Sequence, residues 1–135
     1  MKNLGSLLFI LLLLFGCAST KTTSNDGTLT FRYTTVGILK GYDHTSKLIV
    51  YEGQNIIGES VAKKESEGNS ITISLPNGIH NIRAVLNSKY EDKWEEHLIA
   101  NEYSLDCLFD QPVEINGKKV ITLVFDIKNE KTIVK

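Results

Sequence analysis

TLTFRYTTV, residues 28–36, has a period of two: Leu29, Phe31 and Tyr33 alternate with Thr30, Arg32 and Thr34. Side chains of an extended strand point alternately to its two faces, so one face here is apolar and the other wet. That is the pattern of a half-buried β-strand. The apolar phase then moves to Val36 and Ile38, which predicts an extra residue near Thr35 or a bend at Gly37.

The same period recurs down the chain. KLIVYE (47–52) follows a turn at GYDHTS (41–46), and EGQN (52–55) closes a hairpin into IIGESV (56–61). AKKESEGNS (62–70) reads as a charged loop. ITISL (71–75) turns Ile71, Ile73 and Leu75 inward, PNG (76–78) is a tight turn, and Ile82, Ala84 and Leu86 share the inner face of the next strand. SKYEDK (88–93) leads into WEEHLIA (94–100), and NEYSLDCLF (101–109) reads as a further strand. Asn116-Gly117 predicts a hairpin between VEI (113–115) and KKVITLVFDI (118–127). In that last strand Ile121, Leu123, Phe125 and Ile127 line one face, while Val120, Thr122 and Val124 make the other partly apolar. Apolar side chains on both faces mark a central strand. TIVK (132–135) adds a short pairing after Asn129-Glu130. The best helical candidate, Trp94 to Ala100, is short and uncapped. Seven to nine short strands over residues 28–135 predict an all-β fold, an antiparallel sandwich or a small barrel.

The N-terminus obeys a different rule. Lys2 precedes an unbroken apolar run, Leu7 to Phe15. A membrane-crossing helix needs roughly 20 apolar residues, so this shorter run behind a basic head reads as a signal peptide over residues 1–16. Leu14-Phe15-Gly16-Cys17 resembles the lipobox of bacterial lipoproteins. The resemblance implies cleavage before Cys17 and acylation of that cysteine, with palmitate among the chains, and of its new amino group. Each buried methylene contributes about 0.8 kcal/mol, so two or three chains hold a protein that one holds only marginally. Residues 17–27 then form a lipidated flexible tether. Its segment ASTKTTSNDG (18–27) has a mean span of about 17 Å. Ala18 stands where an aspartate would imply inner-membrane retention, so the resemblance implies the outer membrane of a diderm cell. The expected location is the bacterial envelope, with the membrane as first partner.

Without residues 1–16, 119 of the 135 residues remain, enough for one domain with a real core. All 16 acidic residues and 14 of the 15 basic ones stay, a net charge near −2. No basic footprint for nucleic acid is present. With Cys17 acylated, Cys107 has no intramolecular partner. It shares parity with Tyr103, Leu105 and Phe109, which predicts a buried thiol packed as a small hydrophobe.

LIVYEGQNIIGES (48–60) and ITISLPNGIHNIRA (71–84) carry a second likeness. The pattern runs from Val50-Tyr51-x-Gly53, through Gly58 and a following small hydroxyl residue, to Leu75-Pro76-x-Gly78-x-His80-x-Ile82-x-Ala84. It is similar to PEGA-type and carboxypeptidase-regulatory-like Ig sandwiches of bacterial envelope proteins. The resemblance covers about a third of the chain, residues 48–84, and implies an Ig-like β-sandwich without catalytic residues.

Chemical signatures are sparse. His44, His80 and His97 lack the convergent spacing of a zinc site, and the absence of methionine after Met1 excludes a thioether copper site. His80, at a strand start on the inner parity, reads as a structural histidine. Glu91-Asp92 and Glu95-Glu96 are adjacent pairs whose members point to opposite faces, which suits a solvated edge rather than a carboxylate dyad. There is no Gly-x-Ser-x-Gly elbow and no phosphate loop. No catalytic residue, cofactor or metal ligand is expected. Tyr42, Tyr51, Tyr90 and Trp94 could form an aromatic strip, and Tyr90 with Trp94, near one hairpin tip, is the expected interface. The expected function is that of an envelope lipoprotein with a non-catalytic interaction or structural module, partnered by an envelope protein or glycan. The alternative is a carbohydrate- or small-ligand-binding lipoprotein.

Overall fold

β1 (Asp26–Val36) carries the opening alternation into the interior of a four-stranded sheet. The computed structural model describes residues 26–135. The expected signal peptide, Cys17 and the expected tether up to residue 25 lie outside them. In this sheet β1 lies between β5 (Asn69–Pro76) and β9 (Lys118–Asp126), and β9 carries β10 (Lys131–Val134) on its other side. The second sheet is built on β2 (Thr45–Glu52) and β6 (Gly78–Tyr90). The hairpin strand β3 (Asn55–Glu59) and the two-residue β4 (Lys63–Lys64) share the outer edge of β2. The far edge of β6 is also divided. β8 (Leu108–Ile115) pairs with Gly78–Val85, and β7 (Lys93–Glu96) pairs with Asn87–Tyr90.

The fold is all-β, with two facing sheets as expected of a sandwich, and several local expectations change. The ten strands exceed the expected seven to nine by one, which is the two-residue β4. The pairings are antiparallel except one: β1 and β9 run parallel, Phe31 beside Ile121 and Tyr33 beside Leu123. β9 is an interior strand, as its two apolar faces predicted. Asn116-Gly117 does turn the chain, but not into a hairpin. β8 belongs to one sheet and β9 to the other, so the turn is a crossover between sheets. It is fastened to β1 by the Thr28 N–H donating to the Gly117 carbonyl at 2.8 Å. The reason is that both strands have better partners elsewhere: β9 docks its full length along β1, and β8 along β6.

NEYSLDCLF does not form a strand over its length. Residues Ile99–Asn101 make a single 3-10 turn and the strand begins only at Leu108. The inner parity survives, with Leu105, Cys107 and Phe109 all buried. The charged loop AKKESEGNS also contains structure: β4, then a 3-10 turn at Glu65–Glu67. The phase shift at Thr35 does not occur. β1 keeps one phase through Gly27, Leu29, Phe31, Tyr33 and Thr35, all buried, and Val36 is exposed. The chain bends afterwards at Gly37, whose φ of 73° suits glycine.

Between the sheets, Phe31 of β1 meets Phe109 of β8 edge to face, with ring centroids 5.4 Å apart. Around them pack Leu29, Leu48, Val50, Ile82, Leu86, Leu123 and Phe125, all fully buried. Each such side chain contributes about 1.5–3 kcal/mol by leaving water. One polar strap crosses this core. The Ser60 hydroxyl donates to the Val61 carbonyl, so it accepts from both the Leu48 N–H and the Tyr33 hydroxyl, the latter at 2.6 Å. Tyr33 belongs to one sheet and Leu48 to the other. Burial pushes the Tyr33 hydroxyl above the ordinary tyrosine pKa. Gly58 sits where β3 crosses β5, and a Cβ there would lie 2.7 Å from Ile73 Cδ1.

The sandwich has two distinct ends. At one, Asp26 pairs with Pro76, and the Asn77 carboxamide oxygen accepts from the Gly117 N–H. At the other lie the end of β1, the Tyr90 end of β6 and the β6–β7 turn. The 11 residues of β1 separate these ends by roughly 33 Å, at about 3.3 Å per residue.

The Thr35 hydroxyl is buried and has no hydrogen-bond partner among the described residues. A buried unpaired hydroxyl costs about 1–3 kcal/mol. Thr35→Val keeps the shape and removes the orphan group, so it is expected to raise the urea midpoint, equivalent to about 1 kcal/mol. An unchanged or lower midpoint would refute this account.

Candidate binding cleft

The inner row of β6 runs Ile82, Ala84, Leu86, Ser88 and Tyr90, and it changes character at Ser88. Ser88 is fully buried, as are Ala84 and Leu86, yet it carries a hydroxyl. That hydroxyl donates to Glu65 Oε1. Glu65, from the charged loop, is only 5% exposed. Its place is set by the preceding loop. The Glu65 N–H donates to the His44 carbonyl at 3.0 Å, and the Asp43 carboxylate accepts from the Ser66 N–H and hydroxyl. Those bonds to Ser66 hold the Asp43 carboxyl below its usual pKa. Lys64 Nζ also reaches the Asp43 carbonyl at 2.9 Å. Asp43-His44 is therefore more than a turn; it locks a glutamate into the interior.

His97, also 5% exposed, completes the group. Its Nδ1 lies 3.2 Å from Ser88 Oγ and 3.5 Å from Glu65 Oε1. Because the Ser88 proton goes to the carboxylate, Oγ accepts from Nδ1–H. Nε2 makes no hydrogen bond to the described residues. Tyr103 stacks on this imidazole, centroids 4.1 Å apart and planes 29° from parallel.

Above this floor opens a cleft of about 910 Å³. Tyr42, Tyr90, Trp94 and Tyr103 line it, and Glu95 and Glu102 add carboxylates. Leu39 and Tyr42, 69% and 62% exposed, form its outer rim with the half-exposed Tyr90. His44 stands edge-on to Tyr90 at 5.7 Å. Burial, then the charges of Glu95 and Glu65, push the Tyr103 hydroxyl above its ordinary pKa.

Tyr90 and Trp94 both border this cleft, but they do not form a continuous strip. Across the hairpin Tyr90 faces Lys93 while Lys89 faces Trp94, so the two aromatics project from opposite faces. Trp94 is engaged by Lys47, whose Nζ lies 4.4 Å from the ring centroid. Tyr51 is remote and sits beneath Arg83. Glu95 and Glu96 both border the cleft, but both carboxylate oxygens of Glu96 are held by Arg83, at 3.0 and 2.8 Å. Glu91 and Asp92 are turn residues with positive φ. Glu65, Ser88, His97 and Tyr103 escaped the sequence reading as a site. Ser88 left a trace, since continuing the Ile82-Ala84-Leu86 parity points it inward, and so did Tyr103, which shares parity with Leu105 and Cys107.

The trio resembles a Ser-His-Glu relay in composition but not in geometry. A relay joins serine and carboxylate to different imidazole nitrogens. Here both approach Nδ1, and the serine is inaccessible. What the arrangement offers is a buried polar floor. Among the described residues no group of three or more His, Cys, Asp or Glu side chains could hold a metal ion.

His80 lies at the opposite end. Its Nδ1 is 2.7 Å from Glu52 Oε1 and its Nε2 is 2.8 Å from the Pro76 carbonyl. Both partners are acceptors, so the imidazolium satisfies both, and the Glu52 and Pro76 bonds raise its pKa. Cys107 is a free, fully buried thiol, and burial pushes its pKa far up.

No family model matches the chain, and no curated protein matches it. Two solved structures share parts of its shape. One is a leucine-rich repeat protein from Bacteroides thetaiotaomicron, at 14% identity and a TM-score of 0.36. The other is a Gram-negative toxin, at 9% identity and a TM-score of 0.37. The matches cover 78% and 83% of this chain but only 14% and 23% of those proteins.

Two outcomes follow from the ionic contacts. Glu65→Ala leaves the buried Ser88 hydroxyl without its acceptor and His97 without the carboxylate 3.5 Å from Nδ1, and is expected to cost about 3 kcal/mol in chemical denaturation; a loss under about 1 kcal/mol would mean that the cluster is not a unit. His80 has a folded pKa above the ordinary imidazole value of about 6.5, so its contribution is complete below that value and fades as pH rises through the folded pKa. His80→Gln should therefore narrow the stability gap to wild type between pH 5.5 and pH 8.5. A gap that is constant or widens with pH would refute the charged bridge.

Proposed function

We propose that this protein is a lipid-anchored binding module of the bacterial envelope, an Ig-like sandwich that holds a small ligand or glycan segment in its end cleft. The lipobox at residues 14–17 supports the anchor, and Ala18 supports delivery to an outer membrane. The strand order supports the Ig-like reading. β3-β2-β6-β8 follows the C′-C-F-G order of such domains, and β1 beside β5 follows B beside E. β9 occupies the flank where strand A would stand, and runs parallel to its neighbour.

The observation that carries the proposal is the placement of the cleft. The chain arrives from the tether at the Asp26–Pro76 end, and the cleft opens at the other end of β1, roughly 33 Å away. An anchored domain would thus present the cleft away from the lipid surface. A concave site with aromatic walls and a buried polar floor suits a small ligand better than the flat contact of a protein partner.

Two measurements test this reading. The mature protein is expected to begin at an acylated Cys17 by intact mass, and Cys17→Ala to yield an uncut or released chain without acyl groups. In proteoliposomes, a dye on Asn116→Cys at the tether end should be quenched by spin-labelled lipid more strongly than one on Leu39→Cys at the cleft rim. Equal or reversed quenching would refute the orientation, and a membrane-bound, processed Cys17→Ala chain would refute the anchor.

A further inference from the structure

We infer that Asn116 is a site of spontaneous deamidation and that the Asn77 side chain sets its rate. Asparagine is among the thermolabile residues. The chain has two Asn-Gly pairs, Asn77-Gly78 and Asn116-Gly117. A glycine after asparagine has no side chain to shield its backbone nitrogen, and that nitrogen is the nucleophile for the asparagine carboxamide. Both residues of the Asn116-Gly117 turn are exposed to water. Gly117 has a φ of 71°, and beyond its chain neighbours no atom stands within 4 Å of the place its Cβ would take. Once the Gly117 N–H proton has passed to water or hydroxide, the nitrogen attacks Asn116 Cγ. The new N–Cγ bond closes a five-membered succinimide. The Cγ–Nδ2 bond breaks, and ammonia leaves after taking a proton from water. Water then opens the ring. Attack at Cγ gives aspartate; attack at the main-chain carbonyl carbon gives isoaspartate, in which the chain runs through Cγ. The net change exchanges ammonia for water and needs no other reactant.

The step is restrained at its nucleophile. The Gly117 N–H donates to Asn77 Oδ1 at 3.0 Å, and the Gly117 carbonyl accepts from the Thr28 N–H at 2.8 Å. The proton that must leave is therefore the one the Asn77 carboxamide holds. The nitrogen that must swing towards Cγ belongs to a residue fastened on both sides. Breaking the bond to Asn77 has to precede ring closure, so its free energy adds to the barrier. The second Asn-Gly pair is held differently. Gly78 opens β6 and pairs with Ile115 of β8, so its backbone belongs to a sheet ladder and does not rest on one side chain. Asn116 is thus the asparagine whose reactivity a single remote residue controls. Isoaspartate there would insert a methylene carbon into the backbone of the crossover between the sheets. Since Gly117 ties that crossover to β1 and to the β5–β6 turn, the product would loosen the Asp26–Pro76 end.

The test is to incubate the detergent-solubilised full protein in mildly alkaline buffer, folded or in denaturing urea, and to read deamidation by peptide mass spectrometry with isoaspartate labelling. Asn77 and Asn116 fall in different tryptic peptides, so each is followed separately. In the folded protein Asn116 is expected to react faster than Asn77, and more slowly than it does in urea. Asn77→Ala removes the acceptor and is expected to speed the reaction of folded Asn116 roughly two- to tenfold, the rate equivalent of one hydrogen bond. In urea the same substitution should change nothing. Asn77→Asp keeps an acceptor oxygen for the Gly117 N–H and should retain the wild-type rate, which separates loss of the hydrogen bond from a general loosening by substitution. An Asn77→Ala rate equal to wild type, or Asn77→Asp as fast as Asn77→Ala, would overturn the inference. So would equal rates with and without urea, or Asn77 outpacing Asn116. Should Asn77→Ala fail to fold, the urea comparison on the wild-type chain still decides.

Discussion

The inner face of β6 sets the terms for the rest of the molecule. β6 is 13 residues long, and one continuous row of its side chains serves two purposes. Ile82, Ala84 and Leu86 close the apolar core, and two residues further on the same row must accommodate Ser88. A hydroxyl at a fully buried position needs a partner, because leaving it unpaired costs the desolvation of the group. The partner is a glutamate taken from an otherwise charged loop. Burying that carboxylate in turn requires donors, which Ser88 supplies, with His97 Nδ1 3.5 Å away. The polar cluster is thus a consequence of extending a core strand past the end of the core. β7 exists to cover the same extension, pairing with the last four residues of β6 after β8 has taken the earlier ones.

The parallel seam between β1 and β9 has comparable reach. It draws β9 away from β8, converts Asn116-Gly117 into a crossover, and brings that turn beside the start of β1. The tight turns at the Asp26–Pro76 end are then tied to one another, and His80 adds its bridge from Glu52 to Pro76 there. The opposite end is built from loops and a short hairpin, with large side chains exposed around a concavity. Stiffness at one end and an open recess at the other suit recognition on a fixed scaffold.

Much of this architecture was legible in residue order. Strands were placed by period-two alternation, and that alternation works because a strand half buried in a sandwich has only two faces to fill. It succeeded for β1, β2, β5, β6 and β9, and for the buried thiol of Cys107. It misjudged Thr35, because a threonine on an inward position looks polar and so resembles a change of phase. It also missed the identity of neighbours. An Asn-Gly turn is locally the same whether its flanking strands pair with each other or with strands more than 80 residues away, as β9 does with β1.

The candidate site was legible only as a neighbourhood. Tyr90 and Trp94 do border the cleft, yet their cross-strand partners send them to opposite faces. Glu65 and His97 carried no local signal, because a glutamate in a lysine-rich loop is ordinarily solvated and nothing nearby in the chain demands its burial. Alternation and turn residues determined from the sequence alone that this chain folds as a β domain. Which strands become neighbours, and which polar groups are forced together inside, was decided only by the closed sandwich. Pairing and burial depend on contacts between residues far apart in the chain, and the free energy of those contacts exists only once both sheets have met.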